Sequence, residues 1–139
     1  GIHGHSYGGY MTLMSMFKAG DYFQAGVAGA PVTDWELYDT HYTERYMGNP
    51  KTDKAAYTAA SVFPYAKDLT GDLLIYHGMA DDNVLFTNST KLYKHLQDLA
   101  IPFESMDYPG KKHSIRGKNT GIHLYKTITN FFDKHFAMK

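Results

Sequence analysis

The sequence has no cysteine, no excess of charge of either sign and no long apolar run. The lack of cysteine excludes disulfide bridges, thiolate metal ligands and a cysteine nucleophile. Fourteen basic side chains balance fourteen acidic ones, so the formal net charge is zero and nucleic acid has no electrostatic support as a partner. The longest run of small and apolar residues, 25–32, is too short to cross a bilayer.

Aromatic residues, in contrast, are abundant. They make up 15% of the sequence and include twelve tyrosines and eight phenylalanines. Tyrosine combines an apolar ring with a polar hydroxyl group, a combination that is common in substrate pockets and interfaces. With 43% hydrophobic and 20% charged residues over a length of 139, the composition is that of a single globular domain with one core.

Strand and helix patterns alternate along the chain, which predicts an α/β fold with a parallel sheet. The predicted strands are residues 1–4, 25–30, 73–77 and 103–108, and the predicted helices are residues 7–19, 86–99 and 120–136. The second strand consists of small residues, which allow helices to pack closely, so we expect it in the interior of the sheet. Residues 34–67 are aromatic-rich and predicted to be irregular but packed, with helical turns near 35–47 and 54–60.

The segment GHSYGG at 4–9 has the pattern of a nucleophile elbow, a sharp turn between a strand and a helix. Such a turn projects the serine, here Ser6, above the end of the strand. Glycines two positions before and after it, Gly4 and Gly8, allow the strand and helix to approach, and Gly9 adds a third. The same residues also fit a tight turn that has no catalytic role, but the position between a strand and a helix favours a nucleophile.

A serine nucleophile needs a base and an acid that orients the base. Two later strands are followed by suitable residues, Asp81 and Asp82 after the third and His113 after the fourth. Parallel strands end at the same edge of a sheet, so these side chains can meet Ser6 there. Chemistry alone does not choose between the two aspartates, and the other one would serve as a charge at a helix N-terminus.

Other histidines have different interpretations. His77 lies at a strand end before the acid, a position that suits a structural hydrogen bond. His3 and His5 form an H-x-H pair, but no acidic residue or cysteine lies near them in sequence to complete a metal site. We therefore predict neither a metal nor a cofactor.

Four segments carry a resemblance to a known family. They are HSYGGYMT at 5–12, APVTDWELYDTHYTERYMG at 30–48, HGMADDNV at 77–84 and YPGKKHSI at 108–115. Together they resemble the prolyl oligopeptidase family, most closely its dipeptidyl peptidase IV branch, over essentially the whole chain. The resemblance implies a serine exopeptidase that releases N-terminal dipeptides with proline, or less well alanine, in second position.

The resemblance also assigns roles to individual residues. It makes Ser6 the nucleophile, His113 the base and Asp81 the orienting acid, and it makes the backbone N–H of Tyr7 an oxyanion donor. One departure is that family members usually carry tryptophan before the serine, where this chain has His5. This difference alters the packing beside the elbow but removes no catalytic group.

The resemblance places a pocket for the substrate proline in the aromatic segment. Its lining residues would be Val32, Trp35, Tyr38 and Tyr42, with Asn83 bonded to the carbonyl of the N-terminal residue and Val84 closing the pocket wall. The sequence offers independent support, because the three aromatic residues are spaced by three and four and would share one helical face. Flat aromatic walls favour a rigid apolar ring. The alternative is an aromatic stripe in the core.

The same resemblance implies that residues 1–139 are the carboxyl-terminal part of an α/β-hydrolase domain in a longer bacterial protein. The first strands, a β-propeller, a second oxyanion donor and the residues that grip the substrate amine would lie upstream, so we expect residues 1–139 alone to be inactive. The expected assembly is a homodimer, and the expected location is periplasmic or secreted, with cytoplasmic as the alternative.

Two other functions stay open at this point. The same triad would serve a tripeptidyl peptidase, an acylaminoacyl peptidase or an esterase. A catalytically silent binding subunit of the same fold is the alternative outside enzymes, and the presence of all three triad residues argues against it.

Overall fold

The computed structural model describes residues 1–137 and contains one four-stranded parallel sheet. The strands are β1 (Ile2–His5), β2 (Ala25–Gly29), β3 (Asp72–Gly78) and β4 (Glu104–Tyr108). They lie in chain order, and each pairs in parallel with the next. All five residues of β2 are buried between β1 and β3, which confirms the interior position expected from their small size.

Five α-helices connect and cover the strands. They are α1 (Tyr7–Lys18), α2 (Thr40–Met47), α3 (Lys54–Ala60), α4 (Thr87–Asp98) and α5 (Lys118–Phe136). Short 3-10 helices occupy Trp35–Leu37 and Phe63–Asp68. The alternation of strands and helices confirms the predicted α/β class. Within residues 1–137, no helix combines the length and the apolar character needed to cross a membrane.

The sheet is covered on both faces. On one face, Leu73 and Ile75 of β3 belong to a core with buried residues of α1 and α4, namely Leu13, Met16, Phe17, Leu92 and Leu96. On the other face, Leu74 and Tyr76 belong to a second core with Leu124, Ile128 and Phe131 of α5. Each fully buried leucine contributes about 1.5–3 kcal/mol of transfer free energy. This two-sided burial explains why β3 is a continuous apolar run rather than an alternating one.

The segment from Trp35 to Tyr42 differs from the single helical face that the spacing predicts. A 3-10 turn ends before Tyr38, whose backbone is extended with φ −98° and ψ 165°, and α2 begins only afterwards. The cause is Asp39, whose side chain accepts a hydrogen bond from the backbone N–H of Tyr42 at 2.9 Å and so caps a new helix.

Candidate active site

Ser6 lies at the junction of β1 and α1 with a backbone conformation that is rare outside glycine. Its φ is 61° and its ψ is −119°. The neighbouring structure holds this strained turn, because the Ser6 N–H donates to the carbonyl of Gly29 at 2.8 Å and the Ser6 carbonyl accepts from Tyr10 N–H at 3.0 Å. The junction therefore has the geometry of a nucleophile elbow, with the hydroxyl group at the carboxyl edge of the sheet.

The glycines around Ser6 do not all serve the purpose that the sequence predicts. A Cβ at Gly4 would overlap the backbone carbonyl of Gly8, so Gly4 permits the close strand-helix approach. A Cβ at Gly8 itself would meet none of the described residues within 4 Å. Gly9 is the second required glycine, because a Cβ there would overlap the carbonyl oxygen of Gly29.

The structure brings Ser6, His113 and Asp81 into one line of hydrogen bonds. His113 Nε2 lies 2.9 Å from Ser6 Oγ, and His113 Nδ1 lies 2.7 Å from Asp81 Oδ2. A carboxylate only accepts, so Nδ1 carries the hydrogen and Nε2 accepts from the serine hydroxyl. The three residues follow β1, β3 and β4, which is the shared edge that the sequence analysis expects.

The carboxylate of Asp81 is fully buried and is held by the loop in which it lies. Its Oδ1 accepts hydrogen bonds from the backbone N–H groups of Asn83 at 2.9 Å and Val84 at 3.0 Å. Its Oδ2 also accepts from His77 Nε2, at 3.1 Å, besides His113. A buried charge is tolerated only when it is paired and hydrogen-bonded, and four N–H groups meet that need here.

The structure distinguishes the two adjacent aspartates. Asp82 is exposed and forms an ion pair with Lys112 instead of contacting the imidazole of His113. The hydrogen bond from Lys112 lowers the pKa of the Asp82 carboxyl below its ordinary value. Asp82 is also not a helix-terminal charge, because α4 begins only at Thr87.

His5, where a tryptophan is expected, lies against the base. Its ring centroid is 4.9 Å from that of His113, and its Nδ1 lies 3.1 Å from the hydroxyl of Tyr76. Burial raises the pKa of Tyr76 to about 12, so the phenol keeps its proton and donates to His5. Burial, and then the nearby His113, lower the pKa of His5. Within residues 1–137, no three side chains of the metal-ligating types form a group that could hold a metal.

A small pocket of about 120 Å³ opens beside Ser6. Besides Ser6, it is lined by Tyr7, Val32, Trp35, Tyr38 and Tyr42. The Trp35 and Tyr42 rings stack at 6.1 Å, and Tyr38 meets both edge-on. The three rings therefore assemble although they do not share one helix.

Asn83 and Val84, which are also predicted for this pocket, do not line it directly. Asn83 is exposed, and its Oδ1 accepts a hydrogen bond from the hydroxyl of Tyr38 at 2.8 Å, which leaves its amide nitrogen free to donate. Val84 is fully buried and is not among the lining residues, so it does not form the pocket wall. The reason is that its backbone is bonded to Asp81 and His77, which draws it into the core.

The side chain of Tyr7 also lines the pocket. The sequence had pointed only to a role for the Tyr7 backbone. A larger cavity of about 520 Å³ shares Tyr7, Trp35 and Tyr42 with the small pocket and extends to Tyr46. The four-residue spacing of Tyr42 and Tyr46 on α2 was the available signal for this extension.

The whole chain matches the sequence model of the family described as Prolyl oligopeptidase family, over residues 1–139. The chain belongs to the prolyl oligopeptidase family. Its similar relatives include mouse dipeptidyl peptidase 8, 38% identical over 142 residues, with 100% of this chain and 16% of the relative covered. Bovine dipeptidyl peptidase 4 is 38% identical over 140 residues, with 99% of this chain and 18% of the relative covered.

A crystal structure of Porphyromonas gingivalis dipeptidyl peptidase 4 superposes on the chain with a TM-score of 0.94 and 44% sequence identity. The match covers 97% of this chain and 19% of the other. The chain thus has the fold of part of an α/β-hydrolase domain. It spans less than a fifth of the length of the relatives named here.

The loop that carries Asp81 packs closely against the loop that carries His113, and Gly78 lies at this contact. The Ala80 N–H donates to the carbonyl of Lys111 at 2.9 Å, and a Cβ at Gly78 would overlap the carbonyl oxygens of Lys111 and Lys112. Backbone atoms cannot yield as a flexible side chain can. Any residue larger than glycine at position 78 therefore displaces the loop of the base.

We expect Gly78→Ala in the full-length protein to slow labelling of the site serine by a fluorophosphonate about a hundredfold, because a shift of about 1 Å in a catalytic group costs that much. The measurement is the labelling rate, with thermal unfolding as a check on folding. Gly121→Ala on α5 is the matched control, because a Cβ there meets nothing within 4 Å. Equal labelling rates in both variants would contradict this account of the loops.

Proposed function

We propose that this chain carries the catalytic triad and proline pocket of a serine exopeptidase that releases N-terminal Xaa-Pro, and less well Xaa-Ala, dipeptides. One observation carries the proposal. The hydrogen-bonded line from Asp81 through His113 to Ser6 ends beside a small aromatic pocket. The names of the relatives, dipeptidyl peptidase 8 and dipeptidyl peptidase 4, support the same class of reaction.

The first half of the reaction forms an acyl-enzyme. Ser6 Oγ attacks the carbonyl carbon of the scissile peptide bond while His113 Nε2 takes its proton, a transfer that the 2.9 Å separation permits. Asp81 holds the Nδ1–H of His113 and stabilises the imidazolium that forms. His113 then gives the proton to the leaving amine as the peptide bond breaks, and the N-terminal dipeptide stays bound to Ser6 as an ester.

The negative charge on the substrate oxygen needs donors that are already in place. Tyr7 is the first residue of α1, where backbone N–H groups have no partner within the helix, so its N–H is available for this oxygen. In the second half of the reaction, water attacks the ester carbonyl while His113 takes a proton from this water. His113 then gives the proton to Ser6 Oγ as the ester bond breaks, which restores Ser6 and releases the dipeptide.

The pocket supports a preference for proline. Its walls are aromatic rings that stack or meet edge-on, and flat apolar walls of this kind favour a compact apolar ring over a charged side chain. Alanine would enter but leave much of the aromatic surface without contact. We therefore propose that proline is preferred over alanine in the second position.

The direct test is a substrate profile of the full-length protein with chromogenic Xaa-Pro, Xaa-Ala, tripeptidyl, N-acylated and simple ester substrates. We expect the largest kcat/KM for Xaa-Pro with a free amine. A preference for the tripeptidyl, N-acylated or ester substrates would replace the exopeptidase proposal with one of the related activities. Absence of turnover on all of them would favour a catalytically silent binding subunit.

The pocket wall offers a sharper prediction. Tyr42→Ala removes the ring stacked on Trp35. Loss of this ring should lower kcat/KM for Xaa-Pro about thirtyfold to a hundredfold, from lost apolar burial and an aromatic pair, and should lower it less for Xaa-Ala. Tyr22→Ala is the control, because this ring is 84% exposed beyond the other end of the sheet. Equal losses for both substrates would count against Tyr42 as a wall for proline.

We also propose that turnover requires the rest of the domain, since a second oxyanion donor and the recognition of the amine are expected there. For this reason the experiments use the full-length protein. A homodimer through α5 is a further proposal, supported by the exposed side chains of Ile122 and Tyr125. The proposed location, periplasmic or secreted, rests on the resemblance alone.

A further inference from the structure

His77, at the end of β3, is a fully buried histidine that the proposed mechanism does not use. Both of its ring nitrogens are hydrogen-bonded. Nε2 lies 3.1 Å from Asp81 Oδ2 and 2.8 Å from the carbonyl oxygen of Val84. Nδ1 lies 2.7 Å from the hydroxyl oxygen of Ser89 on α4. The His77 ring therefore connects Ser89 on α4 to Asp81, the acid of the triad.

The partners determine where the hydrogen of His77 lies. A carboxylate and a carbonyl oxygen only accept, so Nε2 must carry the hydrogen and donate to both. Nδ1 then has a free lone pair and accepts from the Ser89 hydroxyl. Burial lowers the pKa of His77, which keeps the ring neutral and preserves this arrangement. Ser89 and the two acceptors thus select one tautomer.

Asp81 Oδ2 consequently receives two N–H groups, one from His113 and one from His77. The two donors share one buried carboxylate oxygen, and hydrogen bonds in the interior of a protein are electrostatically stronger than in water. A second donor fixes the direction of the carboxylate. It also draws negative charge away from the bond to His113, which reduces the stabilisation of the imidazolium by Asp81.

We propose that His77 is a positioning residue for the reaction, which holds Asp81 Oδ2 in line with His113 and moderates the attraction of this carboxylate for the proton on His113. Ser89 supports it by selecting the tautomer with hydrogen on Nε2. This inference rests on the proposed function, because it assumes that His113 is the base.

Other groups around His113 must be considered before a pH profile is interpreted. The charged and titratable ones are His5 on β1, Asp81 and Asp82 after β3, Lys112 on the same loop, and His77 beneath Asp81. Burial lowers the pKa of both His5 and His77 below that of an ordinary imidazole. The role of His77 is therefore read from the difference between variants that share His5, Asp82 and Lys112.

The test is the rate of inactivation of the full-length protein by a fluorophosphonate, measured against pH. This reaction depends on the base but not on peptide binding. In His77→Leu, we expect the midpoint of the acid limb to rise by about 0.5–1 pH unit and the plateau rate to fall about tenfold, as for loss of a hydrogen bond to a charged group. His77→Gln, which retains an N–H donor, should restore the midpoint, and Ser89→Ala should shift it upward by a smaller amount.

A control and a folding check complete the design. His41→Leu replaces an exposed histidine on α2 whose side chain forms no hydrogen bond within residues 1–137, and it should leave the profile unchanged. If His77→Leu folds and the midpoint of its acid limb equals that of the wild type, the inference about His77 is overturned while the proposed function stands. If thermal unfolding shows that His77→Leu does not fold, an unmoved limb in Ser89→Ala overturns it instead. A wild-type protein that is not labelled would overturn the proposed function and this inference with it.

Discussion

Replacing Ser6 by alanine in the full-length protein is expected to lower kcat for Xaa-Pro substrates by about a millionfold. The reason is that Ser6 Oγ is the atom to which the acyl group is transferred, and it lies 2.9 Å from Nε2 of the base His113. Activity that remains would come from substrate binding and the oxyanion donor, which do not depend on the hydroxyl. The measurement is steady-state turnover, with thermal unfolding as a check on folding.

Ser114→Ala is the matched control for this experiment. Ser114 directly follows the base and is exposed, and no role is assigned to it. We expect its kcat to stay within about twofold of the wild type, as for an ordinary surface substitution. Turnover in Ser6→Ala within tenfold of the wild type would show that another group performs the attack.

The Asp81→Asn variant is expected to lose about ten-thousandfold in kcat. An asparagine oxygen can still accept the backbone N–H groups of Asn83 and Val84, which places its amide nitrogen toward His113 and His77. The amide then donates to Nδ1 of His113, which forces the ring hydrogen onto Nε2. A protonated Nε2 can no longer accept the hydrogen bond from the Ser6 hydroxyl. The same amide opposes the N–H of His77, so the site loses a second hydrogen bond.

Asp82→Asn provides an internal comparison, because it makes the same chemical change one residue away. Its carboxylate is exposed and paired with Lys112, and such surface pairs contribute little because water screens them. We expect its kcat to change less than about fivefold. Equal losses in the two variants would mean that Asp81 is not the orienting acid.

The nucleophile elbow and the order of the triad were predictable because they depend on local chemistry and one topological rule. Glycine-flanked Ser6 identifies the turn, and parallel strands bring the loops after β3 and β4 to the same edge. The choice between Asp81 and Asp82 was not predictable from chemistry alone. It depends on how the loop closes, since the backbone N–H groups of Asn83 and Val84 turn toward the Asp81 carboxylate.

Contacts between distant parts of the chain account for most of what the sequence analysis missed. The hydrogen bond between His77 and Ser89 joins β3 to α4, and the contact between His5 and His113 joins β1 to the loop after β4. No periodic pattern reports such pairs. The helical face predicted for Trp35 and Tyr42 was wrong because Asp39 starts a new helix between them, yet tertiary packing still brings the rings together.

The most direct test of the central claim is mass spectrometry of the full-length protein after treatment with a fluorophosphonate. We expect a single adduct, located by peptide mapping to Ser6 and absent from Ser6→Ala, because the Ser6 hydroxyl is hydrogen-bonded to His113, which in turn is held by Asp81. An adduct on a different residue, or one that persists in Ser6→Ala, would contradict the assignment of Ser6 as the nucleophile.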